Sequence, residues 1–305
     1  TVLPATYGPC DRPPLRPDSM PGPQGRSQVA IPVQHYQNSI ALTERAGAIA
    51  DGRVWGYNYG AMRYQHPPLV EAVFEVFATP TQWPEAAEQA IEEALRRDYA
   101  GKREVLKPLG LRFQMGPGLA LQGATTEEPE RIRLWTPDGD RMVQFARNMC
   151  ALNVLPPYRH YGDYVPELER LTGLYLDKAR PSAAVVLGQR YINKVRLPRG
   201  GTPESFFEIY PALPPHVRSR HPPLSMQVEI ETLEAGGNVV LTLTAKGLEE
   251  DHPVYVLDIY ARTEEAAPPT WDRIRQWHEA AHGAVISAFE LAITDRAREL
   301  FGREG

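Results

Sequence analysis

A chain of 305 residues is long enough for one large domain or two small ones. Hydrophobic residues make up 42% of it and charged residues 23%, and the net charge of -5 gives no support for nucleic-acid binding carried by bulk positive charge. Cys10 and Cys150 are the only cysteines, too few for a disulfide framework or a cysteine-based zinc site, and no run of about 18 apolar residues could span a membrane.

Two cysteines fit a reducing cytoplasm, and the N-terminus lacks the charged head and apolar core of a signal peptide. The expected location is cytoplasmic. Residues 1–65 read as a Pro-rich N-terminal arm, with prolines at 4, 13, 14, 17, 21, 23 and 32 and no sustained periodicity. Near its end Trp55, Tyr57 and Tyr59 interleave with glycine, and Tyr64 follows. Such a segment suits lying down on another surface, either its own core or a partner. Residues 66–305 read as the core domain.

Leu69 to Phe77 alternates as a strand, with Val70, Phe74 and Val76 on one face and Glu71 and Glu75 on the other. Trp83-Pro84 opens a helix whose stripe is Ala87, Ile91, Ala94 and Leu95. Leu109 to Met115 is a short strand. Strands on either side of Pro137-Asp138-Gly139-Asp140 form a hairpin, because Asp-Gly supplies the positive φ that a tight turn needs. Asp163 is placed to cap a second helix, carrying Leu168, Leu171 and Tyr175 and stopping before Pro181. A long strand follows over residues 183–197. Three more, at 224–233, 239–245 and 254–261, make a meander turning at Gly236-Gly237-Asn238. A last helix runs from Trp271, after Thr270 as N-cap, to about Phe301.

Short strand-to-strand links imply an α+β fold: a large, mostly antiparallel sheet with three main helices packed on one face. Two ferredoxin-like halves are an alternative description, since the strand–helix–strands unit occurs roughly twice. No Gly-rich phosphate loop follows the first strand, which disfavours a doubly wound nucleotide-binding fold.

His278-Glu279-Ala280-Ala281-His282 matches H-E-x-x-H, in which two imidazoles one helical turn apart hold zinc and the Glu acts as base. A catalytic zinc needs a third protein ligand, and spacing selects none among His216, His221, His252 and the carboxylates. Helical phase puts both histidines on the apolar face with Trp271, Ile274, Val285, Phe289, Ala292 and Ile293. Glu279 falls nearer the charged side. Core histidines bonded to strand acceptors fit equally, so no metal or other cofactor is assigned.

The strand through Arg190, Tyr191, Asn193, Lys194 and Arg196 is the second candidate. Alternation groups Arg190, Lys194 and Arg196 with Ile192 on one face, and Tyr191, Asn193, Val195 and Leu197 on the other. Such a cation row can hold a phosphate or an acidic peptide, or pair with Glu75, Glu229 or Glu231 on neighbouring strands. Cys150 reads as inert core. Tyr158 to Gly162 reads as helix-entry packing that can also contact a ligand.

Pro67-Pro68-Leu69-Val70-Glu71, Asn153 to Tyr158, Leu187-Gly188-Gln189-Arg190-Tyr191-Ile192-Asn193-Lys194-Val195, and Phe289 with Ile293-Thr294-Asp295 together resemble a sporadically distributed family of uncharacterised bacterial proteins of roughly 250 residues. The likeness covers about residues 66–302, and its most specific part is Arg-Tyr-Ile-Asn. An Arg more often stands where Lys194 is here. The resemblance implies an accessory role in small operons such as defence or peptide-modification clusters, and it implies no activity or cofactor. The leading expectation is an accessory protein that binds another protein or peptide through Trp55, Tyr57, Tyr59, Arg190, Tyr191, Asn193, Lys194 and Arg196. Membrane and nucleic acid are not expected partners, and the oligomeric state is left open. The alternatives are a zinc-dependent hydrolase on the His278–His282 helix and a binder of a phosphorylated small ligand over Arg190 and Lys194. Whether the chain is an enzyme is left open.

Overall fold

A strand whose odd and even residues differ in polarity must lie between two environments, and Leu69–Pro80 (β1) does. Ala72, Phe74 and Val76 enter the main core, while Glu71, Glu75 and half-buried Phe77 lie on the other face. The computed structural model describes residues 64–107, 109–115, 121–127, 129–158, 160–214, 224–231, 236–263 and 266–303. After β1 come helix α1 (Ala87–Leu95) and strands β2 (Arg103–Leu106), β3 (Leu109–Met115), β4 (Leu121–Glu127), β5 (Arg131–Trp135), β6 (Arg141–Ala146) and β7 (Met149–Val154). Helix α2 (Tyr161–Ala179), β8 (Pro181–Arg196), β9 (Ser225–Glu231), β10 (Asn238–Glu249), β11 (His252–Arg262), α3 (Trp271–Ala292) and α4 (Asp295–Leu300) complete the order.

Nine strands form one sheet in the order β2-β5-β6-β7-β1-β8-β11-β10-β9, with every neighbouring pair antiparallel; β3 and β4 form a separate two-stranded ribbon. The expected α+β fold is therefore present, with α1, α2 and α3 contributing to a single core on one face of the sheet. β1 and β8 are the central pair, with Ala72 opposite Tyr191 and Phe74 opposite Gln189. α2 packs over β1 and β7, and α3 over β8, β10 and β11. The Asp-Gly turn is where it was expected, with Gly139 at φ 72.

Three local expectations need correction. The last helix is not continuous to Phe301. Ile293 is extended (φ -111, ψ 150) and forms an antiparallel bridge with Phe207, and the Thr294 hydroxyl accepts from the Ala297 N–H to start α4. A helical pattern in sequence could not show that a distant segment would claim the backbone of Ile293. The N-cap of α2 is His160 rather than Asp163. The His160 Nδ1 accepts from the Gly162 N–H, and the Asp163 carboxylate, three residues on, accepts from the His160 N–H. Ala94 is exposed, so the α1 stripe narrows to Ala87, Ile91 and Leu95. β2 and β4 had no alternation strong enough to be read. Residues 1–63, including Trp55, Tyr57 and Tyr59, lie outside the described residues.

The start of the described core is tied to its far end. Tyr64 bridges Arg303, the Gln65 N–H donates to the Gly302 carbonyl, and the Tyr64 hydroxyl donates to the Glu290 carboxylate at 2.8 Å. Arg298 Nε donates to the same carboxylate at 3.0 Å, so Glu290 neutralises one cation and anchors one phenol.

Phe74 sits at the meeting point of β1, α2 and α3. It is fully buried, with ring centroids 5.8 Å from Tyr161, 6.4 Å from Tyr191 and 6.0 Å from His278. Phe74→Ala should cost about 3–5 kcal/mol, the range for truncating a buried aromatic. Urea unfolding followed by tryptophan fluorescence measures it. A loss of under about 1 kcal/mol would show that this point is not well packed.

Candidate functional site

The two faces of the sheet carry different chemistry. On the helix side, residues of odd number on β8 meet α2 and α3. Gln189, Tyr191 and Asn193 are all buried there. His278 is fully buried, and its Nδ1 shares a hydrogen bond of 3.1 Å with Gln189 Oε1. His282 Nδ1 shares one of 2.7 Å with the Tyr191 hydroxyl, which lies 2.9 Å from the Tyr158 hydroxyl. The Tyr161 ring stacks on His282 at 4.4 Å. Tyr158 and Tyr161, at the entry to α2, are thus joined to β8 and α3 in one aromatic and imidazole cluster. Asn193 donates to the carbonyl of Leu257 at 3.2 Å, which staples β8 to β11.

Burial alone lowers the His278 pKa to about 3. Burial, with a smaller electrostatic contribution from nearby His160, lowers that of His282 to about 4. Burial and the neighbouring Tyr158 hydroxyl hold the Tyr191 phenol far above its ordinary range. All three groups are neutral at pH 7, so the cluster holds no charge. Among the described residues, His278 Nε2 and Gln189 Nε2 are buried without a hydrogen-bond partner.

Among the described residues, the H-E-x-x-H residues have no third ligand beside them. Both imidazoles turn inward, as helical phase indicated, and one nitrogen of each is engaged by β8. Glu279 lies on the solvent side, paired with Arg275 at 3.0 Å. His252 is occupied at the carbonyl of Leu197, and His216 and His221 lie outside the described residues. Among the described residues no group of three His, Cys, Asp or Glu side chains is placed to hold a metal.

The opposite face, free of the three main helices, holds the cation row. Arg190, Lys194 and Arg196 share it with Ile192, as alternation required. Their partners differ from those expected. Arg190 makes a two-point contact with Asp258, Nε donating to Oδ1 at 2.7 Å. Lys194 pairs with Glu249 at 2.8 Å and Arg196 with Glu250 at 2.7 Å. β11, the end of β10 and the turn between them supply these carboxylates, because β11 lies directly beside β8, with Asp258 opposite Ile192 and Val256 opposite Lys194. Glu229 belongs to Arg262 and Asn238 instead. Each cation of the row is already neutralised by a carboxylate of the same protein.

Toward the middle of this face lie groups that spacing did not single out. Arg133 Nε donates to Gln144 Oε1 (2.8 Å), Gln144 Nε2 to Asn153 Oδ1 (2.8 Å), and Asn153 Nδ2 to Glu71 Oε1 (2.6 Å). This line crosses β5, β6, β7 and β1. Gln144 and Asn153 are buried, so the line is a satisfied network rather than loose surface polarity. Only the alternation of β1, which put Glu71 on this face, hinted at it. Beside it Gly188 on β8 stands opposite Glu75 on β1. A Cβ at 188 would lie 2.6 Å from Glu75 Oε2 and 2.7 Å from the Tyr260 hydroxyl. The glycine therefore lets a carboxylate from β1 and a phenol from β11 hydrogen-bond over the central strand. Burial pushes the Glu75 carboxyl up, against the opposing pull of the Tyr260 hydroxyl and Arg190.

An apolar patch adjoins these groups. Val73, Ala146, Met149 and Ala151 form a second buried cluster, with Phe77 packed on it. Val186, Ile192, Val256 and Tyr260 are half-buried on the same face. The chain matches no family model, and comparison with the curated proteins and the solved structures yields no match.

Two outcomes follow from this geometry. A folded-state pKa below the ordinary 6.5 of histidine means that the unfolded chain takes up protons first as pH falls. The stability contribution is complete above pH 6.5 and is lost as pH falls from there toward about 4 for His282 and about 3 for His278. Each ring should remove about 1.4 kcal/mol per pH unit in that window. Urea midpoints at pH 7 and pH 5 measure the fall, which His282→Phe should roughly halve; a flat profile in the parent protein would contradict buried neutral rings. Separately, Gly188→Ala should cost about 1–3 kcal/mol through crowding at Glu75 and Tyr260. Thermal unfolding reads this, and an unchanged midpoint would show that both side chains yield freely.

Proposed function

We propose that this chain is an accessory, partner-binding protein and that the face of the sheet away from the three helices is its contact surface. The observation that carries this reading is how that face is built. Arg190, Lys194 and Arg196 are exposed, each paired with a carboxylate, and half-buried Val186, Ile192, Val256 and Tyr260 stand among and beside them. An apolar centre among paired polar groups is the arrangement of a protein interface, where unsatisfied groups would be costly and a preorganised surface saves ordering entropy.

The same pairing weakens the reading as a phosphate site. A phosphorylated ligand over Arg190 and Lys194 would have to displace Asp258 and Glu249, at the cost of leaving two carboxylates unpaired. The inward imidazoles and outward Glu279 weaken the hydrolase reading in the same way. The partner is another protein or peptide. The resemblance in β1, β7 and β8 supports the same role, since its stretches occupy three neighbouring strands and contribute Glu71, Asn153, Gly188 and Arg190 to this face.

Ile192 provides the test. It is half-buried on this face, between Glu71 on one side and Asp258 on the other. Full-length protein and the Ile192→Lys variant are tagged and recovered from the native host, with Arg275→Glu on exposed α3 as control. The partner should be retained by the parent and the control and reduced at least tenfold with Ile192→Lys, a loss of about 1.4 kcal/mol or more. Retention by Ile192→Lys with loss in the control would move the interface to the helices. Stoichiometric zinc in the purified parent, lost in His278→Ala, would replace this reading with a metalloenzyme.

A further inference from the structure

The two edges of the nine-stranded sheet are unlike. β2 is four residues long and carries Arg103 and Glu104, a short and charged edge of the kind that resists further pairing. β9 has seven residues, Ser225-Met-Gln-Val-Glu-Ile-Glu, with no proline and no lysine. It pairs with β10 along its length, Val228 opposite Leu241, and among the described residues no strand lies on its outer side. Its apolar residues Met226, Val228 and Ile230 continue the row of Val239, Leu241 and Leu243 on β10. The β10 residues are buried beneath the helix layer; those of β9 are only half-buried. A long, regular edge with an unfinished apolar row is a template for another strand.

We propose that β9 pairs antiparallel with β9 of a second copy about a twofold axis through Val228, joining two nine-stranded sheets into one. The sequence of β9 is self-complementary in that register. Met226 faces Ile230 of the other copy on the helix side, and Gln227 faces Glu229 on the opposite side, so no carboxylate meets a carboxylate. Glu229 is also held within its own chain, by Asn238 at 2.8 Å and Arg262 at 3.6 Å, which limits its repulsion across the axis. A register centred on Glu229 would set that carboxylate against itself, and like charges directly opposite are unfavourable. An isologous contact of this kind closes after two copies and leaves the β2 edge free of the assembly. It lies at the edge of the sheet, at the far end from β5, β6 and β7, so it adds to the proposed partner surface without competing for it.

Sedimentation equilibrium of the full chain tests the mass, and a cysteine at the axis tests the register. The expected mass is twice 34.2 kDa. On the axis the two Cα atoms of residue 228 would be about 4.5–5.5 Å apart, inside the disulfide range. Val228→Cys in a Cys10→Ser background should therefore cross-link under mild oxidation, while Glu93→Cys, exposed on α1, should not. Val228→Lys should raise the dimer dissociation constant at least tenfold with an unchanged circular dichroism spectrum. If that variant does not fold, the cross-link still decides. A monomer at every concentration overturns the proposal, including the case in which the edge accepts only a foreign strand. A dimer without the Val228→Cys cross-link overturns it too, by placing the contact elsewhere.

Discussion

β1 and β8 run side by side through the centre of the sheet, and their register fixes both faces at once. Phe74 opposite Gln189 and Ala72 opposite Tyr191 place aromatic, amide and phenol beneath the helices. One residue along, Glu75 stands opposite Gly188 on the reverse side. Because side chains alternate with a period of two, a slip of one residue would put Glu71, Glu75 and Arg190 in the core and expose Phe74. The strong contrast between the two sets of residues on β1 is what forbids that slip. Everything that lies on either face inherits its position from this ladder.

The two faces solve the problem of polar groups differently. Beneath the helices, imidazoles and phenols are kept neutral by exclusion from water and are linked by hydrogen bonds that involve no full charge. On the other face, charges are kept but matched, strand by strand, with a carboxylate for each cation of β8. Surface pairs of this sort contribute little stability individually. Their effect is on geometry, since a guanidinium held at two points by Asp258 presents a fixed surface rather than a swinging arm.

The strong periodicities were readable in the sequence because they depend on local contrast. The β1 strand, the Asp-Gly hairpin, the long β8 strand, the meander and the two larger helices all appear close to where alternation and turn residues put them. The inward aim of His278 and His282 followed from helical phase. What sequence could not supply was partnership between distant segments. The bridge of Phe207 to Ile293 that ends α3 joins residues with no local signal in common. The line from Arg133 to Glu71 draws one residue from each of four strands, and it exists only once their order in the sheet is fixed. The carboxylates that answer β8 differ from those expected for the same reason: acidic residues on β11, the end of β10 and the turn between them are neighbours by topology, not by spacing.

The clasp between Tyr64 and Arg303 has a further consequence for how the chain can be rearranged. Residues 64–66 and 301–303 are hydrogen-bonded to one another, so the two limits of the described core meet at one place. A short linker joining them, with new ends opened in the exposed turn at Asp138-Gly139, would leave every strand pair of the sheet intact. The order in which the strands emerge during synthesis would change, with β6, β7 and β8 made before β1. Such a permuted gene would separate what the fold requires in space from what the native order supplies in time.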